Sequence, residues 1–176
     1  MGANGLIRKI ATIMSANAVG YSKLMDDDET ATAQTLTLYK KEMAALINQH
    51  RGRVIDFSYD NMLSEFAIVM DAVKCAVAIQ KELNSRNTAL PENRKMRFRI
   101  GINLGKVIQE GDRIFGDCVN IAGRLKALAD PGGITVSKTV FDQIENKLPL
   151  GYQYLEEHSV NNIAEPVKVY KVFIQL

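Results

Sequence analysis

The most regular pattern in the chain is an alternation of apolar and polar residues near its middle. Between residues 96 and 104 every second position is Met, Phe, Ile or Leu, and two arginines, a glycine and an asparagine stand between them. A period of two is that of a β-strand with one buried face. Residues 96–104 are therefore predicted to form a strand. Arg97 and Arg99 are expected on an exposed sheet face or at a sheet edge.

Two longer segments show the period of amphipathic helices. The acidic run at 26–29 suits the start of the first helix, because negative charge complements the helix dipole, and Gly52 is a suitable stop. The apolar positions of this helix are Leu36, Tyr39, Met43, Leu46 and Ile47. The second helix begins near Asp71, and its apolar positions are Ala72, Cys75, Ala76, Ile79 and Leu83. Residues 84–93 are polar, contain Pro91 and are predicted to form a loop.

Shorter segments supply further strands. Residues 7–14 are apolar and β-branched, and the small residues of 15–22 are expected to end this strand. Residues 53–58 and 62–66 form a predicted hairpin around Tyr59, Asp60 and Asn61. With the two helices and the strand at 96–104, the order is β-α-β-β-α-β. This is the split βαβ pattern of a ferredoxin-like α/β sandwich, with both long helices on one face of the sheet.

Additional C-terminal elements follow this core. Strands are predicted at 134–136, 152–157 and 167–174, a helix after Ser137 as its N-cap, and a loop at 161–166. A chain of this length is expected to form one domain, covering residues 1–176 with a core at about 7–174.

Composition and charge exclude several classes of protein. The 176 residues are 47% hydrophobic and 24% charged, as in an ordinary globular domain, and an evenly spread net charge of +2 does not favour nucleic acid binding. No segment approaches the about 18 apolar residues of a membrane span. The start lacks a secretory pattern. Cys75 and Cys118 lie among apolar residues, which predicts buried thiols in a reducing compartment, the cytoplasm.

The segment 113–124, with the sequence RIFGDCVNIAGR, holds the residues best suited to chemistry. It turns at Gly116 and Asp117 and enters a helix in which Asn120 and Arg124 are four residues apart, on one face. An amide and a guanidinium near a helix start suit an oxyanion or a phosphate. The alternative is a solvated asparagine and a surface arginine.

Three segments carry a family resemblance: AVGYS at 18–22, RIGINLG at 99–105 and IFGDCVNIAGR at 114–124. In them the chain resembles the catalytic domain of class III nucleotide cyclases, the adenylate and guanylate cyclase family, and bacterial members in particular. The resemblance spans about Ile10 to Phe173 and implies the nucleotide cyclase fold. It also implies a head-to-tail dimer that converts ATP or GTP into a 3′,5′-cyclic nucleotide and pyrophosphate.

In this family two aspartates of one subunit hold two Mg²⁺ or Mn²⁺ ions, which activate the attacking oxygen and neutralise the leaving group. By resemblance Asp60 takes the place of the second metal aspartate. Asn17 stands where the first is expected. An amide oxygen lacks the charge that hard divalent ions prefer, so both metal sites are expected to be weakened. Tyr59 replaces a glycine beside Asp60, where the backbone should approach a triphosphate.

The other subunit supplies an asparagine and an arginine that stabilise the transition state, and Asn120 and Arg124 match them. It also supplies a purine-reading lysine and aspartate, which are here exchanged in charge as Asp56 and Arg113. One interpretation is an Asp56–Arg113 salt bridge that fills an unused pocket. The other is altered base choice, with Asp56 accepting from guanine N1–H and N2–H₂ and Arg113 donating to O6. Asp112 directly precedes Arg113, so a match shifted by one residue would place an aspartate at the purine-reading position.

Three functions are compatible with these replacements. The first, which they favour, is a cyclase-fold domain that has lost catalysis, holds no metal and acts as a regulatory or binding module. The second is an atypical adenylate or guanylate cyclase that uses Mn²⁺ or Mg²⁺ and relies on Asp60, Asn120 and Arg124. The third is a subunit that works only beside another cyclase domain, in a heterodimer rather than a homodimer.

Overall fold

The computed structural model describes residues 5–158 and 166–174. The strands are β1 (Leu6–Ala18), β2 (Gly52–Ser58), β3 (Asn61–Phe66), β4 (Phe98–Glu110), β5 (Arg113–Phe115), β6 (Ile134–Ser137), β7 (Gly151–His158) and β8 (Val167–Phe173). The helices are α1 (Tyr21–Asp27), α2 (Glu29–Gln49), α3 (Val69–Asn87), α4 (Asp117–Ala127) and α5 (Lys138–Ile144). None of the described helices combines the length and the apolar character that crossing a bilayer requires.

The strands form one sheet in the order β2-β3-β1-β4-β6-β8-β7, and β5 pairs with the outer part of β4. The first four strands pair antiparallel, whereas β4 and β6 are parallel. The order β2-β3-β1-β4, with helices after β1 and β3, is the split βαβ arrangement. The predicted ferredoxin-like core with additional C-terminal strands and a helix is confirmed.

Helices cover both faces of the sheet. The two long helices, α2 and α3, lie on one face with α5, as predicted; their core residues include Tyr39, Met43, Ile79, Leu83, Val140 and Ile144. Helix α4 lies on the opposite face, over a smaller cluster that consists of Ala11, Ile13, Val107, Ile114, Cys118 and Ala122. The odd-numbered residues of β1 therefore face α4. This face carries the site described below.

Both central strands are longer than predicted. β1 continues through the small residues that were expected to end it, because Ser15 pairs with Gly101 of β4 and Asn17 with Arg99. The chain turns only at Gly20, whose φ of 63° is left-handed. Pairing in the sheet outweighs the weak strand propensity of this segment.

The end of α2 differs from the prediction, because the left-handed residue after the helix is Arg51, with a φ of 64°, and not Gly52. Arg51 Nε and Nη2 donate to the two carboxylate oxygens of the buried Asp71, at 3.1 and 2.6 Å. Gly52 is the first residue of β2, and a side chain there would overlap the ring of Phe66. The ion pair holds a backbone conformation that usually favours glycine.

The predicted loop at 84–93 begins too early, because α3 continues through Asn87. Asn87 is buried and bonds to Met96 just before β4, so a long-range contact extends the helix. The N-cap position of Ser137 is confirmed, but its hydroxyl contacts Thr139 Oγ1 and caps no backbone N–H. Most of the predicted loop at 161–166 lies outside the described residues.

Candidate functional site

The two predicted metal positions lie at the same end of the sheet. Asn17 stands on β1 between Asn61 of β3 and Arg99 of β4. Asp60 directly precedes Asn61, in the turn between β2 and β3. Asn17 and Asp60 are both half-buried. The fold therefore brings together two residues that are 43 positions apart in the chain (60 − 17).

Arg99 contributes a positive charge to this end of the sheet. Its Nε donates a hydrogen bond of 2.8 Å to the carbonyl oxygen of Ala129, just after α4. The expectation of an exposed face or a sheet edge was wrong for Arg99, because β4 lies between β1 and β6 and its end is covered by the chain that leaves α4. Arg99 is thus the residue of β4 in register with Asn17.

These residues do not fit two divalent metal ions. Asp60 is the one carboxylate that the two metal positions supply, and the other position is the amide of Asn17, in register with Arg99. Mg²⁺ and Mn²⁺ are hard cations that prefer several charged oxygen ligands, and this set offers one.

Tyr59 gives the hairpin a strained turn. Its φ is 53°, in the left-handed region, and its side chain is 78% exposed. A non-glycine residue in this region costs on the order of 1–2 kcal/mol. The ring makes no compensating contact with the core, so the chain holds a bulky side chain at a turn position suited to glycine.

Asn120 and Arg124 lie together on the outer face of α4. The helix begins at Asp117, after Gly116 with a φ of 122°, and the backbone N–H of Asn120 donates to the Gly116 carbonyl at 3.3 Å. Both side chains are exposed, whereas Ala122 and Leu125 are buried beneath them. The predicted division of this helix into a polar and an apolar face is confirmed.

Asp56 and Arg113 do not meet within the protomer. Asp56 lies on β2 at the edge of the sheet, and Ser58 Oγ lies 2.9 Å from each of its carboxylate oxygens. Arg113 begins β5, which pairs with the outer part of β4. Both residues are exposed, and among the described residues no ion pair joins them. The interpretation as an intramolecular salt bridge was wrong.

Sequence reasoning missed Lys126, a charged residue in the last turn of α4. Lys126 is half-buried. Removal from water lowers the pKa of its ammonium group below the ordinary lysine value, and the negative charge of Asp60 raises it in part. Lys126 follows Val119 by seven residues, so the sequence alone could have placed both side chains on one face of α4. The spacing does not indicate which part of the protein that face contacts.

Known proteins resemble this chain over nearly its whole length. A family model described as the adenylate and guanylate cyclase catalytic domain matches residues 8–172. A provisionally named adenylate cyclase 3 of Rhizobium meliloti (strain 1021) is 37% identical over 171 residues, which are 97% of this chain and 29% of that protein. The chain thus spans less than a third of that relative.

Solved structures show the same similarity. The crystal structure of an adenylate/guanylate cyclase/hydrolase from Silicibacter pomeroyi is 33% identical with a TM-score of 0.90, over 97% of this chain and 99% of that one. The crystal structure of the adenylyl cyclase CyaB from P. aeruginosa is 21% identical with a TM-score of 0.84, over 97% of each chain, and shares the fold.

Proposed function

The chain belongs to the family of adenylate and guanylate cyclase catalytic domains, and we propose that it is a regulatory or binding domain of this family that does not turn over nucleoside triphosphates by itself. The observation that carries the proposal is Asn17, a neutral amide in register with Arg99 at a position that requires a carboxylate. With Asp60 alone, the domain lacks the charge needed to hold a pair of divalent ions.

The loss of metal removes the main source of catalysis. Two metal ions would activate the ribose 3′-oxygen and neutralise the pyrophosphate that leaves, and no side chain of the site supplies both effects. Tyr59 adds to the impairment, since its exposed ring stands on the turn that should approach the triphosphate. Asp56 and Arg113 carry charges opposite to those of the lysine and aspartate expected at the purine-reading positions.

The transition-state asparagine and arginine support a second candidate function. Asn120 and Arg124 are exposed on one face of α4 and remain available to a partner domain. In a head-to-tail heterodimer they would stabilise the charge of a phosphate whose metal ions are held by the other subunit. The domain would then work only beside a competent cyclase domain.

Product formation tests the first proposal. The unmodified protein is incubated with ATP or GTP and Mn²⁺, beside a variant with Asn17→Asp and Tyr59→Gly. We expect no cyclic nucleotide from the unmodified protein. Turnover that is abolished by Asp60→Ala would contradict the proposal and support an atypical cyclase, and the nucleotide used would show what Asp56 and Arg113 recognise.

A mixing experiment tests the second candidate. A competent cyclase chain that carries substitutions at its own transition-state asparagine and arginine is mixed with this protein. Recovered activity that disappears with Asn120→Ala or Arg124→Ala would support a heterodimer. An unchanged rate in the mixture would contradict this candidate and leave the regulatory role.

A further inference from the structure

Helix α4 lies in backbone contact with β4. A Cβ on Gly101 would overlap the backbone nitrogen of Lys126 and lie 2.5 Å from the carbonyl oxygen of Ala122. A Cβ on Gly105 would lie 3.3 Å from the side chain of Cys118. The helix therefore runs along β4 from Gly105 towards Gly101, and its last turn lies close to the sheet end that holds Arg99 and Asn17.

One face of α4 is turned towards the β2–β3 hairpin. Val119, Ala122 and Lys126 share this face, because residues three, four and seven positions apart lie on the same side of a helix. Val119, Ile55 of β2 and Leu63 of β3 are half-buried and pack against the same buried cluster beneath α4. Two turns further along, the same face carries Lys126 towards the turn that holds Asp60.

The burial and charge of Lys126 agree with this placement. The residue is half-buried beside the sheet, and partial loss of water lowers the pKa of its ammonium group. The charge of Asp60 acts in the opposite direction, as expected for two groups that the α4 face and the β2–β3 turn bring towards each other. They form no direct ion pair, so the attraction acts across a gap.

We propose that the Lys126 ammonium group is the protein's own counter-cation for Asp60 and takes over the charge role of a bound divalent ion at this sheet end. The inference rests on the proposed function and deepens it. A positive charge beside a single carboxylate both neutralises it and repels a divalent ion. Restoring the missing carboxylate with Asn17→Asp alone is then insufficient to restore tight metal binding.

This inference is tested by measuring the binding of Mn²⁺ alone, without any catalytic readout. The electron paramagnetic resonance signal of the free ion reports how much Mn²⁺ remains unbound. The proteins are the unmodified chain, Asn17→Asp, Lys126→Gln and the double variant. We expect negligible binding to the unmodified chain at about 1 mM Mn²⁺. We expect Lys126→Gln to raise the affinity of the Asn17→Asp protein by roughly tenfold or more, because a nearby like charge is removed. Asp60→Asn should abolish the gain.

Two controls separate a local effect from a change in net charge. Lys74→Gln removes an exposed lysine of α3 and should leave Mn²⁺ binding unchanged. Lys126→Arg keeps a positive charge and should bind as weakly as the chain with lysine. Equal affinity with and without Lys126, or an equal gain from Lys74→Gln, would overturn the inference. Turnover by the unmodified protein would instead contradict the proposed function, so the two failures are distinguishable.

Discussion

The Tyr39 hydroxyl donates a hydrogen bond of 2.6 Å to Oδ1 of Asn87, and both side chains are buried. The same oxygen accepts from the backbone N–H of Met96 at 3.2 Å, and Asn87 Nδ2 donates to the Met96 carbonyl at 3.0 Å. One amide therefore joins α2, the end of α3 and the segment that leads into β4. Burial raises the pKa of Tyr39, although nearby Arg86 lowers it in part.

The first prediction concerns this amide. Asn87→Ala leaves the Tyr39 hydroxyl and both polar groups of Met96 without their partner, and buried unpaired groups cost about 1–3 kcal/mol each. We expect the free energy of unfolding to fall by roughly 3 kcal/mol in urea titrations, since water can satisfy some of these groups. Asn84→Ala, at an exposed position of the same helix, is the control and should change stability by less than about 0.5 kcal/mol. Similar losses in the two variants would contradict a structural role for Asn87.

The second prediction concerns the turn before Asp60. Tyr59→Gly should raise the free energy of unfolding by about 1 kcal/mol, because glycine adopts a positive φ without steric cost and the exposed ring loses no packing. Tyr59→Ala removes the ring but keeps a Cβ, so it should give little gain. Thermal unfolding of both variants distinguishes backbone strain from side-chain effects. Equal gains would show that the ring, and not the backbone, is unfavourable.

The third prediction compares Gly101, which lies against the backbone of α4, with Gly123, which is part of α4 but lies outside that contact. Gly101→Ala should destabilise the protein by more than about 2 kcal/mol, because the new Cβ would overlap the backbone of α4, which cannot move aside as a side chain can. Gly123→Ala is the matched control within α4, where a Cβ meets no atom within 4 Å. It should stabilise by about 0.5–1 kcal/mol through helix propensity. Equal effects in urea titrations would mean that α4 does not lie against Gly101.

Much of the fold is predictable because it depends on the periodic spacing of apolar and polar residues along the chain. The alternation that ends at Leu104 and the hairpin around Asp60 are local patterns, and the structure contains both. The shared face of Asn120 and Arg124 is equally local, since it follows from a spacing of four residues. Here sequence and structure agree because no distant contact is needed.

The remaining features depend on contacts between distant parts of the chain. Arg99 is covered because β4 is an inner strand and the end of α4 folds over it, which no period around residue 99 reveals. The last turn of α4, with Lys126, lies against the sheet because Gly101 leaves room for the backbone of the helix. Likewise α3 extends to Asn87 because Met96 supplies hydrogen-bond partners nine residues further along the chain. In each case packing decides what local propensity leaves open.

The last prediction concerns the two cysteines, which are free and buried as predicted. Burial raises the thiol pKa of Cys75 and of Cys118 from 9.0 to about 12, and a hydrogen bond from Asn103 opposes this shift for Cys118. In the unfolded chain the thiols lose their protons near pH 9, whereas the folded protein retains them up to about pH 12. The unfolded state therefore binds fewer protons in this window, and stability falls as the pH rises.

We expect the free energy of unfolding to drop by roughly 1 kcal/mol per thiol between pH 9 and pH 10, and to be insensitive to the thiols below pH 8. Urea titrations at several pH values measure this slope. A Cys75→Ala, Cys118→Ala double variant is the control, because the other titrating groups, such as Tyr39, remain. Its curve should be flatter than that of the unmodified protein by about 2 kcal/mol per pH unit in this range. Parallel curves, or rapid labelling of both thiols in the native protein, would show that the cysteines are not shielded by the core.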